Sequence, residues 1–274
     1  MDRRNLRGGH RVIMMARNAG MLNGVAWNRI DQRIRVAFPM IWEDSAWDVE
    51  DLRGYEAELL NKLAIEIAAL TDVTLIDCGA HLGAFSSLMC SRAPSIRRVV
   101  AIEPNTDLHP VLQANLDALP LRTDLRPAAV ANFAGTGRLE SPPYDKFERA
   151  RYLVQGKGPI PVITVDSLGI RGGSCVIKID VEGGEEAVIE GAAETIAAAK
   201  HCVVTLEAHP SVALRTGRDP IEYLRKLRSI RPFDCTMAET GIQLGDDVRP
   251  IFHNLSPKAK GASVMLNMIA VARS

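Results

Sequence analysis

From residue 72 onward, short apolar runs alternate with runs of helical period, and this rhythm restricts the fold more than any other feature. VTLID (73–77), RRVVAIEP (97–104), CVIKID (175–180) and CVVTLEAH (202–209) have the length and β-branched content of buried strands. Between them lie helical faces. Phe85, Leu88 and Met89 form one, and Leu108, Val111, Leu112 and Leu116 a second. A third is Val188, Ile189, Ala192 and Ile196, within a single helix expected over EGGEEAVIEGAAETIAAAK (182–200). A fourth is Ile221, Leu224 and Leu227, with Asp219 as N-cap and Pro220 in the first turn. LRPAAVAN (125–132) reads as a short third strand. Residues 133–165 are irregular, with strand pieces at RLES (138–141) and PVITV (161–165), and SVMLNMIAVA (263–272) suits a last strand. Apolar strands separated by helices predict an α/β, doubly wound, mostly parallel sheet with helices on both faces. Ligands of such sheets bind beyond the carboxyl ends of the strands, near the point where the winding reverses.

The first 70 residues have a different texture. They hold Trp27, Trp42 and Trp47, a strand candidate RIRVAFPMIW (33–42), and an amphipathic helix over 55–70 with Leu59, Leu63, Ile67 and Leu70 on one face. We divide the chain into an N-terminal extension (1–70), expected as a substrate lid or a homodimer contact, and a ligand-binding domain (71–274). Basic and acidic residues balance at 33 each, so no broad positive field invites nucleic acid. Arg3, Arg4, Arg7, Arg11 and Arg17 read as a solvated tail. The mildly apolar stretch 12–21 is too short to span a membrane. Five cysteines without a CxxC pair or zinc spacing fit a reducing cytoplasm.

IDCGAHLGAF (76–85) follows a strand and opens a helix. Gly79 and Gly83 permit a tight turn and close approach of a ligand to the main chain. A dinucleotide fingerprint needs G-x-G-x-x-G, yet His81 stands where its second glycine would lie. No lysine followed by Ser or Thr makes a P-loop, so a cofactor without phosphates fits better. Glu103 ends the second strand, where an acid accepts hydrogen bonds from both hydroxyls of a ribose. The bland alternative is a strand-end acid beside a helix-capping turn, with no ligand.

KIDVEGGEEAVIEGA (178–192) is the most informative segment. Asp180 ends a buried strand and points into the cleft. Lys178 shares its face by the period of two, either neutralising Asp180 or binding substrate. Glu185 and Glu186 occupy a helix's first turn, where the dipole favours acids. Glu207 and His209 share a face at the end of the next strand, so His209, oriented by Glu207, is a candidate general base. Alternatively Asp180 and Glu207 hold Mg²⁺ with substrate oxygens.

These segments together resemble the FkbM family of S-adenosylmethionine-dependent methyltransferases, from about Val73 to about Pro210. IDCGAHLGAF resembles its glycine motif, AIEPN (101–105) its second, VITVDSL (162–168) its Thr-x-Asp-x-Leu segment, and KIDVEGGEEAVIEGA its most distinctive one. TLEAHP (205–210) and NMIAVA (267–272) are similar to later strands. Cys78 and Gly184 depart modestly from the family's usual residues. The resemblance implies a class I methyltransferase (Rossmann-like) fold with a seven-stranded sheet. It implies Asp77, Gly79, His81 and Gly83 along the methionine part of the cofactor. Glu103, Pro104 and Asn105 then lie about the ribose, with Asp180 near the transferred methyl. It implies O-methylation of a hydroxyl on a sugar, glycan or natural product. Asp180, His209, Glu207 and Lys178 are its candidate catalytic residues. The alternatives are a binding module without turnover, and a nicotinamide oxidoreductase, which the fingerprint at His81 disfavours. DVEG (180–183) stands where a nucleic-acid N-methyltransferase carries Asn/Asp-Pro-Pro-Tyr/Phe.

Overall fold

The structure is a computed structural model, and it describes residues 24–39, 49–141, 151–208, 221–245 and 266–273. Its centre is a seven-stranded sheet built from β3 (Val73–Cys78), β4 (Ile96–Ile102), β5 (Arg122–Arg126), β10 (Ser174–Ile179), β11 (His201–Ala208), β12 (Phe233–Met237) and β13 (Leu266–Ala272). The strand order is β12-β13-β11-β10-β3-β4-β5. Only β13 runs against the others, pairing antiparallel with β11 and β12. From β3 the chain winds outward to β4 and β5, then returns to place β10 on the other side of β3. The winding therefore reverses between β3 and β10, and their carboxyl ends are where a ligand site is expected.

Alternation along the strands sorts the core into two halves. Ile76, Cys78, Ile177, Ile179, Val204 and Leu206 face α5 (Glu185–Glu190), α6 (Ala193–Ala198) and α7 (Ile221–Ile230). Val73, Leu75, Val99, Val176 and Val203 face α2 (Ala57–Glu66), α3 (Ala84–Arg92) and α4 (His109–Asp117). The described part of the first 70 residues packs into this second half. Ile34, Val36 and Phe38 come from the hairpin β1 (Val25–Arg29) and β2 (Arg35–Pro39), with Leu52 from α1 (Val49–Gly54) and Leu59, Leu60 and Leu63 from α2. Asn115 of α4 ties the hairpin down, receiving a hydrogen bond from Ala37 N at 2.6 Å and donating to Ala37 O at 3.0 Å and to Leu82 O at 2.7 Å.

Four expected elements differ in detail. The third strand over 125–132 is split, because Pro127 has no N–H to continue a ladder. Residues 122–126 stay in the main sheet. Ala129 and Val130 form β6, which joins β7 (Gly135–Glu140), β8 (Tyr152–Gln155) and β9 (Ile160–Ile163) in a separate four-stranded sheet. The described part of the region read as irregular thus supplies three strands of that sheet, at and beside the strand pieces expected at 138–141 and 161–165. The helix expected over 182–200 begins at Glu185 and breaks at Gly191, whose backbone passes so close to β6 that a Cβ would sit 2.1 Å from Ala131 O. The helix expected over 55–70 is shortened to 57–66, because Glu56 takes a left-handed conformation (φ 45°) between α1 and α2. The strand expected over 33–42 is seen as Arg35–Pro39. The Asp219–Pro220 cap lies outside the described residues.

Candidate active site

Because side chains alternate across a sheet, Asp77 on β3, Lys178 on β10 and Asp180 just beyond it project to the α2 side. Thr205 and Glu207 on β11 do the same. These residues meet at the carboxyl ends of the strands, on the two sides of the winding reversal. Glu56, Leu59, Lys178, Asp180, Thr205, Glu207 and Asn267 line one cleft there.

Lys178 is its hub. Nζ donates to Gly79 O at 3.0 Å and lies 3.0 Å from Asp180 Oδ2 and 3.4 Å from Asp77 Oδ1. It also sits 5.4 Å from the centre of the Phe85 ring, within cation–π range. Burial opposes its charge, yet Asp180, Asp77 and Glu56 outweigh that and hold the amine well above its usual range. Of the two roles open in the sequence, neutralisation is the one this geometry fits, since the ammonium's three hydrogens face three oxygens. Asp77 is fully buried and is pushed up by that burial against the pull of Lys178 and of the Ser86 hydroxyl, which donates to it at 2.6 Å. Among the described residues its Oδ1 has Lys178 Nζ at 3.4 Å and no closer hydrogen-bond donor.

Asp180 and Glu207 share a hydrogen bond. Burial, the Asp180 charge and that bond push the Glu207 carboxyl up to about 10. Burial opposes the Asp180 charge, but Lys178 and the Glu207 bond outweigh it and hold Asp180 low. Glu207 is therefore the protonated donor and Asp180 the ionised acceptor near neutral pH. The expected Mg²⁺ seat at this pair gains no support from the structure: among the described residues no three His, Cys, Asp or Glu side chains gather as a metal site, and a hard cation would need Glu207 to give up its proton.

This acid pair makes stability depend on pH. Glu207 keeps in the folded state a proton that the unfolded chain releases near pH 4. Its contribution is complete below that value and is lost as pH rises towards about 10. Glu207→Gln keeps a donor for Asp180 but cannot titrate. Urea unfolding at about pH 6 and about pH 8.5 is expected to show the variant gaining about 3 kcal/mol on the wild type across that interval. Parallel pH dependences would mean that Glu207 is ionised.

On the other side of β3, the glycine turn meets Glu103. The Glu103 side chain is buried at the end of β4. His81 N donates to its Oε2 and Asn105 N to its Oε1, both at 2.8 Å. Burial pushes this carboxyl up, and the two amide bonds pull it back. Each oxygen keeps a lone pair, so the pair of hydroxyls on a ribose fits as an added set of donors. Together with the Asp77 carboxylate, which Lys178 approaches on one oxygen only, this set suits a nucleoside bearing a polar tail.

The turn residues hold the backbone that does this. Gly79 (φ 82°) is required by the protein itself, because a Cβ there would sit 1.9 Å from Asp180 O. Gly83 (φ 78°) begins α3 against Leu112. His81 is also left-handed (φ 51°), which aims its N–H at Glu103 while its ring stays exposed. Pro104 is half-buried, and Asn105 Oδ1 accepts from Asp107 N at 3.2 Å, capping a short turn. Glu185, one of the two acids expected in the helix's first turn, is buried, and its carboxylate accepts from Gly183 N and the Tyr223 hydroxyl. His209 lies outside the described residues.

Glu56 was not singled out in the sequence. It falls three residues before Leu59, one position ahead of α2 and in sequence register with that helix's apolar stripe, and an acid in that register is the signal that marks it.

Residues 77–230 match the methyltransferase FkbM domain. The chain belongs to the FkbM methyltransferase family. The match begins at Asp77 and covers Glu103, Lys178, Asp180 and Glu207, while Glu56 precedes it. Among known proteins, the hexuronic acid methyltransferase AglP of Haloferax volcanii is 27% identical over 169 residues, 60% of this chain and 67% of that protein. The solved methyltransferase FkbM from Methylobacillus flagellatus KT is 18% identical with a TM-score of 0.48, covering 77% of this chain. This chain spans about half of that one, 47%. A solved structure from Pyrococcus horikoshii, itself provisionally assigned as a transferase, is 12% identical with a TM-score of 0.50 and covers 97% of this chain and 84% of its own. That likeness is one of fold. Among the described residues no helix is long and apolar enough to cross a membrane.

Proposed function

We propose that this FkbM-family chain transfers the methyl group of S-adenosylmethionine to a hydroxyl oxygen of a sugar or glycan, with hexuronic acids the first acceptor class to test. The observation that carries the reading is Glu103, fixed by two backbone amides at the end of β4 with both oxygens open to further donors. The 27% identity to a hexuronic acid methyltransferase supports the acceptor class.

When bound, the cofactor supplies a sulfonium methyl already activated for displacement. The protein's share is placement, which is catalysis by proximity. Glu103 receives the ribose hydroxyls. Asp77 and Asp180 offer negative charge to the cationic end, and Lys178 favours that charge on both against the burial that opposes it. The Asp180–Glu207 pair acts through its shared proton rather than as a magnesium seat. All five cysteines are free and buried, which fits a cytoplasmic enzyme.

The test is a screen of uronic and neutral sugars with S-adenosylmethionine, read by mass spectrometry, with a chelator in parallel. A mass gain of one methylene equivalent on a hexuronic acid, unaffected by the chelator, supports the proposal. No mass gain on any of these sugars, or a gain seen only with added magnesium, would contradict it.

A further inference from the structure

Methyl transfer to a hydroxyl releases a proton, and most polar groups around the cleft are already committed. The Lys178 hydrogens face Gly79 O, Asp180 and Asp77. Asp180 carries that ammonium and the Glu207 proton, and Glu207 already holds the proton it would have to accept. Asn267 donates to Glu239 Oε1 at 3.1 Å. Thr205 is a buried alcohol and a poor base.

Glu56 differs from all of these. It lines the same cleft, and among the described residues its buried Oε2 has no hydrogen-bond partner. The Tyr55 side chain hydrogen-bonds to the same carboxylate. Glu56 stands at the N-cap of α2 yet makes no capping bond, so its side chain does nothing for the helix. Its backbone is left-handed, a conformation costing a glutamate about 1 kcal/mol and found where a side chain must be aimed.

We propose that Glu56, contributed by the N-terminal extension, is a catalytic residue that accepts the hydrogen of the acceptor's hydroxyl and takes its proton. This rests on the methyltransferase reading. The hydroxyl oxygen bonds to the methyl carbon as the carbon–sulfur bond breaks. Its electron pair stays on sulfur, and the O–H proton passes to Glu56 Oε2. The titratable groups facing Glu56 are Tyr55, Lys178, Asp77 and Asp180, with Glu207 across the cleft. Burial pushes the Glu56 carboxyl up, partly offset by Lys178, which brings a base closer to working pH.

Wild type, Glu56→Gln and Glu56→Asp are titrated with S-adenosylhomocysteine, and each homocysteine complex is then titrated with glucuronic acid. The rate of methylation of the same sugar is followed from about pH 6 to about pH 9. Homocysteine affinity is expected to stay within about twofold in both variants. In Glu56→Gln, sugar binding weakens about tenfold and kcat falls on the order of 100-fold or more. The acid limb of its kcat profile disappears, and Glu56→Asp recovers part of the rate. A Glu56→Gln enzyme with kcat within about threefold of wild type and an intact acid limb overturns the proposal. Failure of the wild type to bind the homocysteine would instead remove the methyltransferase reading, and this proposal with it.

Discussion

Glu103→Gln is expected to weaken S-adenosylmethionine binding by about 100-fold or more while leaving the protein folded. A carboxylate accepts from the ribose hydroxyls through two charge-assisted bonds, each worth roughly 1.5–3 kcal/mol. About 1.4 kcal/mol is a factor of ten in affinity. The amide nitrogen of Gln would also face either His81 N–H or Asn105 N–H, donor against donor, because both oxygens of Glu103 are in use. The turn that shapes the site loosens together with the contact itself. Calorimetric titration gives the affinity and a melting curve the stability. Affinity within about threefold of wild type would take Glu103 out of the ribose site.

Lys178→Met is expected to be the most destabilising single change at the cleft, at roughly 3–5 kcal/mol, a melting drop of about 10 °C. Met fills the stem's volume but leaves Asp77, which has no exposure, and Asp180 without their shared cation. It also leaves Gly79 O without its donor. The loss has a pH signature. Without the ammonium both carboxyls titrate higher in the folded state than in the unfolded chain. Their protonated forms are then favoured by folding, and the deficit shrinks at low pH and grows as pH rises. Denaturation at about pH 5 and about pH 8 checks this. A variant within about 1 kcal/mol of wild type at both would mean that water, not Lys178, satisfies the two acids.

The period of two was enough to put Lys178, Asp180 and Glu207 on one face, and the strand-turn-helix spacing was enough to find Glu103. These depend on local geometry that a strand imposes on any sequence. What escaped depends on contacts between distant segments. Glu207 reads as one more carboxylate, and only the neighbouring Asp180 charge and burial make it a held proton. Glu185 has the position of a surface helix acid, yet Tyr223 on α7 closes over it. The break at Gly191 is set by Ala131, sixty residues earlier in the chain. Gly79 was read as permitting a tight turn and the approach of a ligand, and the sequence could not show that Asp180's carbonyl is what a side chain there would meet. Glu56 carried a legible mark, an acid in register with an apolar stripe, but its partners lie on β10 and β11 more than 120 residues away.

Calorimetric titration of the wild-type protein with S-adenosylmethionine and S-adenosylhomocysteine reads occupancy of the site at Glu103 without the intervention of any acceptor. Both are expected to bind in the micromolar range, with one site per chain. No heat with either nucleoside, from protein shown to be folded by its melting transition, would contradict a cofactor site at Glu103.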